Sequence, residues 1–62
     1  MNSKEIEILI GKWEELANAY RYQAGSFKSI GYDLEGAEFI TIANTLDRCA
    51  NDLKNNRHWN DG

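Results

Sequence analysis

The stretch FITIANTLDRCANDL, residues 39–53, decides the fold of this 62-residue chain. Its apolar side chains recur three and four residues apart, at Phe39, Ile42, Ala43, Leu46, Cys49, Ala50 and Leu53. At about 100° per residue these positions fall within an arc of about 120°, which is one face of an α-helix. The stretch is therefore predicted to be an amphipathic helix, with Cys49 as a small buried hydrophobe in its apolar face.

A second stretch, IEILIGKWEELANAY at residues 6–20, repeats the pattern. Its apolar stripe consists of Ile6, Leu9, Ile10, Trp13, Leu16, Ala17 and Tyr20. The same phase continues through Ala24, Phe27 and Gly31, so the first helix is predicted to span residues 3–30 or so. Gly25 is then tolerated inside it at a cost of about 1 kcal/mol. The alternative is a break at Gly25, with residues 27–30 forming a separate short turn of helix.

The predicted helix ends define a hairpin. The first helix can start at Asn2 or Ser3. Asn2 is a good N-cap, and Glu5 stands three residues later, where a capping-box carboxylate would lie. Gly31 is the predicted C-cap, residues 31–33 are the turn, and Asp33 is the predicted N-cap of a helix over about residues 34–56. Because a short turn forces antiparallel packing, the expected fold is an all-α antiparallel helical hairpin, one domain over residues 1–62 with a frayed tail at 58–62.

The length of the chain makes such a hairpin marginal. A domain of this size buries only about 60% of the surface of its unfolded chain, so small domains use disulfides, metals or oligomerisation. One cysteine excludes an internal disulfide, and one cysteine with one histidine, His58, gives no plausible zinc site. Oligomerisation is the stabilising device that remains.

Charge and composition indicate where the protein is expected to be and which classes of partner it is not expected to bind. The net charge is −3, with four basic and four acidic groups in residues 1–31 and three basic and six acidic in residues 32–62. This balance argues against general nucleic-acid binding. A lone cysteine, no signal-peptide pattern and no apolar run of about 20 residues favour a cytoplasmic protein with no membrane segment.

Some apolar residues lie outside the two stripes. Single exposed apolar residues are common on protein surfaces. A second line of them in so small a chain indicates a surface that binds a partner. We therefore predict self-association into a dimer or a larger helical bundle. The residues assigned to it are Ile8, Ala19, Ile30 and Ile40.

Two groups of side chains are candidates for contact with another partner. Arg21 and Tyr22 are predicted to face outward from the first helix, and both residue types are common at interface hot spots. Arg57, His58 and Trp59 could pair with a phosphate and stack on a base, or could simply cap the second helix. No catalytic set, metal site or cofactor is predicted. His58 lies nine residues from Cys49, at the frayed end, so an enzyme built on that pair is disfavoured.

The segments AEFITIANTLDRCANDLKNN, residues 37–56, and WEELA, residues 13–17, resemble small helical-hairpin accessory proteins of tailed bacteriophages and prophages. The shared plan is a first helix with a tryptophan, a glycine turn and a second helix with the ladder Leu46, Cys49, Ala50 and Leu53. The resemblance implies a protein that binds host machinery, as an inhibitor of anti-phage defence or as an oligomer that sequesters a nucleotide signal. It assigns no functional residue.

These observations give two functional hypotheses. The first is a non-enzymatic, phage-type binding protein that acts stoichiometrically, as an oligomer, on a host protein or a small nucleotide. The alternative is a structural or assembly module that only self-associates.

Overall fold

The structure is a computed structural model that describes residues 2–55. It consists of two helices, α1 over Ser3–Ser29 and α2 over Asp33–Asn55, which pack against each other along their length. The predicted all-α hairpin is confirmed. Helix α1 continues through Gly25, so the prediction of one long first helix is confirmed and the break at Gly25 is wrong. The end predicted for the second helix near residue 56, and the frayed tail, lie outside the described residues.

The start of α1 is capped as the sequence predicts. The side-chain oxygen of Asn2 accepts a hydrogen bond from the backbone N–H of Glu5 at 2.9 Å. The Asn2 amide donates in return to the Glu5 carboxylate at 3.2 Å. This pair satisfies one of the N–H groups that have no partner inside the helix, and it puts a negative charge at the positive end of the helix dipole.

The turn is a Schellman motif built on Gly31. The N–H of Gly31 donates to the carbonyl of Lys28, and the N–H of Tyr32 donates to the carbonyl of Phe27. Gly31 has φ +88°, a left-handed conformation that favours glycine. The ring of Tyr32 stacks on Phe27 with centroids 6.2 Å apart, which supplies the apolar contact typical of the motif.

The predicted cap of α2 is wrong by one residue. Asp33 is the first helical residue, and the carbonyl of Tyr32 accepts the first helical hydrogen bond, from the N–H of Gly36. The turn is shorter than predicted because the Schellman motif makes Gly31 and Tyr32 sufficient to reverse the chain. Asp33 still stabilises α2, since a carboxylate in the first turn lies near the positive end of the helix dipole.

The two helices approach along a row in which all side chains but one are small, which we call the seam row. Its members are seven residues apart and all are buried: Ile10, Ala17 and Ala24 in α1, and Gly36, Ala43 and Ala50 in α2. A Cβ built on Gly36 would lie 2.7 Å from Cγ of Lys28 and 3.0 Å from the carbonyl oxygen of Ala24. Small residues here let the two backbones come close together, and the repeat of seven keeps the row facing the other helix.

The large side chains lie beside the seam, in what we call the middle row. It consists of Ile6, Trp13, Tyr20 and Phe27 in α1, and Phe39, Leu46 and Leu53 in α2. Phe39 contacts both Tyr20 and Phe27 edge to face, with centroids 5.2 and 5.1 Å apart. Ile6 is buried and the other six are half-buried. Near the open end of the hairpin, Trp13 and Leu53 pack against the cluster of Ile6, Ile10 and Ala50.

Three residues of the predicted buried stripes are exposed. Leu16 is 48% exposed, Ile42 is 40% exposed, and the Cys49 thiol is also exposed, so the prediction of a buried cysteine is wrong. The reason is geometric: an apolar arc of about 120° is wider than one neighbouring helix can cover. The helices meet at the edge of each arc that carries small residues, and the opposite edge stays in contact with solvent.

Candidate functional site

The exposed edge of the two arcs forms a row of its own, which we call the outer row. Seven residues again separate its members: Leu9, Leu16, Gln23 and Ile30 in α1, and Glu35, Ile42 and Cys49 in α2. Leu9 is half-buried and the other six are exposed. Exposure therefore increases across the hairpin, from the buried seam row through the half-buried middle row to the outer row. We call the outer row together with the open side of the middle row the apolar flank.

Surface depressions follow the apolar flank along α1. One is lined by Leu16, Ala19, Tyr20 and Gln23, and another by Gln23, Ser26, Phe27 and Ile30. A third begins beside Lys12 and shares Leu16 and Ala19. The flank is thus a furrowed apolar surface, of the kind into which ridges of side chains on another helix can pack.

The opposite flank of the hairpin is polar. Arg21 forms an ion pair with Asp47 and also donates to Asn44 at 3.3 Å, while Lys54 forms an ion pair with Glu14. In each helix the two charged residues are seven positions apart, so the pairs occupy one row beside the seam. Their side chains remain 36–45% exposed. Pairs of this exposure contribute only about 0–1 kcal/mol each to stability.

The two flanks therefore have different chemistry. The ion-pair flank joins α1 to α2 with groups that already satisfy each other. The apolar flank offers leucine, isoleucine, cysteine and aromatic carbon to solvent, with few polar groups to orient a small ligand. Covering such a surface is favourable by about 25 cal/mol for each Å² of apolar area removed from water.

The residues predicted to mediate self-association are not brought together. Ile30 belongs to the outer row, and Ala19 lines two of the depressions next to Leu16. Ile8 is 53% exposed on the outward side of α1, at the same heptad position as Tyr22, away from the flank. Ile40 is half-buried and shares the heptad position of Asp47, on the ion-pair flank.

The residues predicted to contact another partner are in different situations. Tyr22 is 79% exposed and projects from the outward side of α1. The Arg21 guanidinium is held across the hairpin by Asp47 and Asn44, so its main contacts are within the molecule. Arg57, His58 and Trp59 lie outside the described residues.

Of the outer row, only Ile30 is predicted from the sequence to be a surface residue, whereas the predicted core includes Leu9, Leu16, Ile42 and Cys49. The signal that could have found them is the separation by size within each stripe. Alanine and glycine repeat every seven residues on one edge, with leucine and isoleucine on the other. Charges of opposite sign beside the small edge, such as Arg21 and Asp47, indicate the same division.

Metal sites and membrane-spanning helices have recognisable patterns, and neither is found over residues 2–55. That part of the chain contains no cluster of three or more histidine, cysteine, aspartate or glutamate side chains placed to bind a metal ion. Neither α1 nor α2 is long and apolar enough to cross a membrane. Comparisons with protein families, curated proteins and solved structures find no match to this chain.

Proposed function

We propose that this chain is a non-enzymatic binding protein that works as a dimer, in which the apolar flanks of two hairpins pack together into a four-helix bundle. The observation that carries the proposal is the exposed outer row. Leu16 and Ile42 belong to the main apolar arcs of their helices, yet they are 48% and 40% exposed in the hairpin.

The distribution of residue types over the heptad supports a bundle. A helix that packs against a single partner needs two apolar positions in seven, whereas a helix inside a bundle needs three. Here the seam, middle and outer rows supply three. The largest side chains lie in the middle row, which would point to the centre of a four-helix bundle, flanked by the seam on one side and the outer row on the other.

A second copy is the occupant that best fits this surface. The flank extends along both helices, so a match in length requires another pair of helices rather than a short peptide. Among residues 2–55 no large side chain is fully buried, which leaves the hairpin with a core of mainly alanine and isoleucine. Dimerisation would bury the middle row from both copies, and oligomerisation is a common remedy for chains this small.

Sedimentation equilibrium of the Ile42→Lys variant tests the proposal. Lysine at 42 removes an apolar contact in each copy and adds two buried charges. Full burial of an isoleucine contributes about 1.5–3 kcal/mol, and Ile42 is 40% exposed in the hairpin. The apolar loss from two copies therefore raises the dissociation constant by roughly 10- to 50-fold, and the two buried charges raise it further. A lysine four residues after Glu38 is compatible with the isolated helix, which separates loss of the dimer from loss of α2.

Leu34→Lys is the matched control. Leu34 is 72% exposed, more than Ile42, and lies on the outward side of α2 away from the apolar flank. The same substitution there leaves the dimer intact. A wild-type chain that sediments as a monomer at micromolar concentration, or equal effects of the two lysines, would overturn the proposal.

We further propose, on the resemblance to phage accessory proteins, that the dimer acts stoichiometrically on a host protein or a small nucleotide. The exposed Tyr22 ring supports this role, because it lies away from the apolar flank and stays accessible in such a dimer. Titration of the purified protein with a cyclic dinucleotide, followed by tryptophan fluorescence, tests the nucleotide. Saturable binding that is lost in Arg57→Ala supports it. A titration without a change in fluorescence excludes the nucleotide as the ligand. The hypotheses of a host-protein partner and of a pure assembly module then stand.

A further inference from the structure

We infer that the two hairpins pack side by side with their turns at the same end, so that α1 of one copy lies against α2 of the other. This inference rests on the proposed dimer and specifies its symmetry. The two-fold axis then runs parallel to the helices, and every pair of neighbouring helices in the bundle is antiparallel.

The contacts within the hairpin show which residues of α1 and α2 lie at the same level along the helix axes. Ile10 and Ala50 pack in one cluster, and the backbone of Ala24 lies next to Gly36. Rotation about a two-fold axis parallel to the helices leaves the level of each residue along the helices unchanged. Residues of α1 would therefore meet α2 of the second copy at the same levels at which they meet α2 of their own chain.

At these levels the outer rows of the two copies interdigitate, with apolar residues next to apolar ones and polar residues next to polar ones. Counted from the open end, α1 contributes Leu9 and then Leu16, and α2 of the second copy places Cys49 and then Ile42 in the alternate positions. Towards the turns, Gln23 of α1 lies next to Glu35 of the second copy. Apolar side chains thus meet apolar ones, and the Gln23 amide has a carboxylate to which it can donate.

The residues that border the outer row also match. This border, which we call the rim row, consists of Lys12, Ala19 and Ser26 in α1, and Glu38, Thr45 and Asp52 in α2. With the turns together, Lys12 lies at the level of Asp52 of the second copy, Ala19 at that of Thr45, and Ser26 at that of Glu38. The rim would then bring opposite charges, rather than like charges, to one level of the two copies.

The head-to-tail arrangement matches poorly. It would place α1 against α1 and α2 against α2. Gln23 would then lie between the leucines of the other copy's outer row, which buries an amide without a partner. Glu38 would face Asp52 of the second copy, a contact between like charges. Polarity therefore separates two arrangements that bury the same rows.

The distance between two spin labels at the turn distinguishes these arrangements. We use Ser29→Cys in a Cys49→Val background, because Ser29 is exposed near the end of α1 and faces outward. With the turns together the labels are separated only by the width of the bundle, about 20–30 Å for helix axes 8–10 Å apart. Head to tail, one helix length of about 40 Å is added along the axis.

Pulsed electron resonance on this dimer has three outcomes. A distance of about 20–30 Å is the expected result. A distance of 40 Å or more overturns the symmetry and leaves the proposed dimer in place. No resolved distance, together with a monomer in sedimentation of the unlabelled wild type, overturns both.

Charge substitution gives a second measurement that needs no label. With the turns together, Gln23→Lys places a lysine beside Glu35 of the second copy and lowers the dissociation constant up to about tenfold, and adding Glu35→Lys removes this gain. In the head-to-tail dimer the lysine lies between the leucines of the other copy and raises the dissociation constant. An unchanged or weaker Gln23→Lys dimer therefore contradicts the inference.

Discussion

The two flanks of the hairpin differ although they lie on either side of the same seam. On one, Arg21 and Asp47, and Glu14 and Lys54, satisfy each other across the helices. On the other, Leu16, Ile42 and the thiol of Cys49 remain exposed. The first flank is complete within one chain. The second is mainly apolar and exposed, and we propose that a second copy covers it.

The difference shows how one apolar stripe can supply both the contact between two helices and a separate exposed surface in a short chain. Small residues lie at the edge where the backbones approach, with the ion pairs beside them. The large residues that remain become a separate surface. Because the seam is mainly alanine, it buries little apolar area per residue, and the stability that the hairpin lacks would come from the dimer.

The largest effect is expected when the apolar flank loses both of its exposed aliphatic side chains. In Leu16→Lys with Ile42→Lys, four lysines would enter the interface of the dimer, so the chain sediments as a monomer at all accessible concentrations. Its melting temperature, measured by circular dichroism, falls below that of the wild type and no longer rises with protein concentration. A double variant that keeps a concentration-dependent melting temperature would mean that the flank is not the interface.

A large side chain in the seam is expected to separate the helices. Ala43 is completely buried, so Ala43→Leu inserts a side chain where two backbones are in contact. Overpacking of this kind costs typically about 1–3 kcal/mol. Denaturant unfolding should show that loss. Ala37→Leu, at an exposed position of the same helix, serves as the control and changes the free energy of unfolding by less than about 0.5 kcal/mol.

Two glycines allow a matched test of the same seam. Alanine at Gly25 meets no atom within 4 Å, and in the middle of a helix it stabilises by about 0.5–1 kcal/mol. At Gly36 the added Cβ would lie 3.0 Å from the carbonyl of Ala24, a backbone atom, and would also displace the Lys28 side chain. We expect Gly36→Ala to be less stable than Gly25→Ala in thermal unfolding. Equal stabilisation by both would contradict close packing at the seam.

The ion-pair flank should respond least. Arg21→Gln removes the pair with Asp47 while keeping much of the side chain, and the expected loss is about 0–1 kcal/mol because both groups are partly exposed. The dimer should persist in sedimentation. The effect should also shrink in 1 M salt, which screens exposed charges. A loss of the dimer in this variant would place the interface on the polar flank.

The sequence predicts the hairpin well because its signals are local. The apolar period continues through Gly25, Asn2 and Glu5 form a recognisable cap, and Gly31 allows the left-handed turn. The predicted start of α2 is one residue late, because a Tyr32 N-cap and an Asp33 N-cap differ in which carbonyl accepts the first helical hydrogen bond. Helix periodicity identifies such elements, but their exact boundaries depend on this local geometry.

The candidate surface was harder to predict. Periodicity shows which residues are apolar, but it does not show which edge of a wide stripe the neighbouring helix will cover. That choice depends on packing between residues far apart in the chain, such as Ala24 with Gly36. The sequence pattern alone therefore predicts that Leu16 and Cys49 belong to the core, whereas both are exposed.

The most direct test of a covered apolar flank is the reactivity of Cys49 with a thiol reagent at increasing protein concentration. The chain has one cysteine, and it lies in the outer row, so its rate reports whether the flank is covered. We predict that the rate constant falls as concentration rises, in step with dimer formation in sedimentation, and that Ile42→Lys reacts rapidly throughout. A wild-type rate constant that is high and independent of concentration would contradict the account.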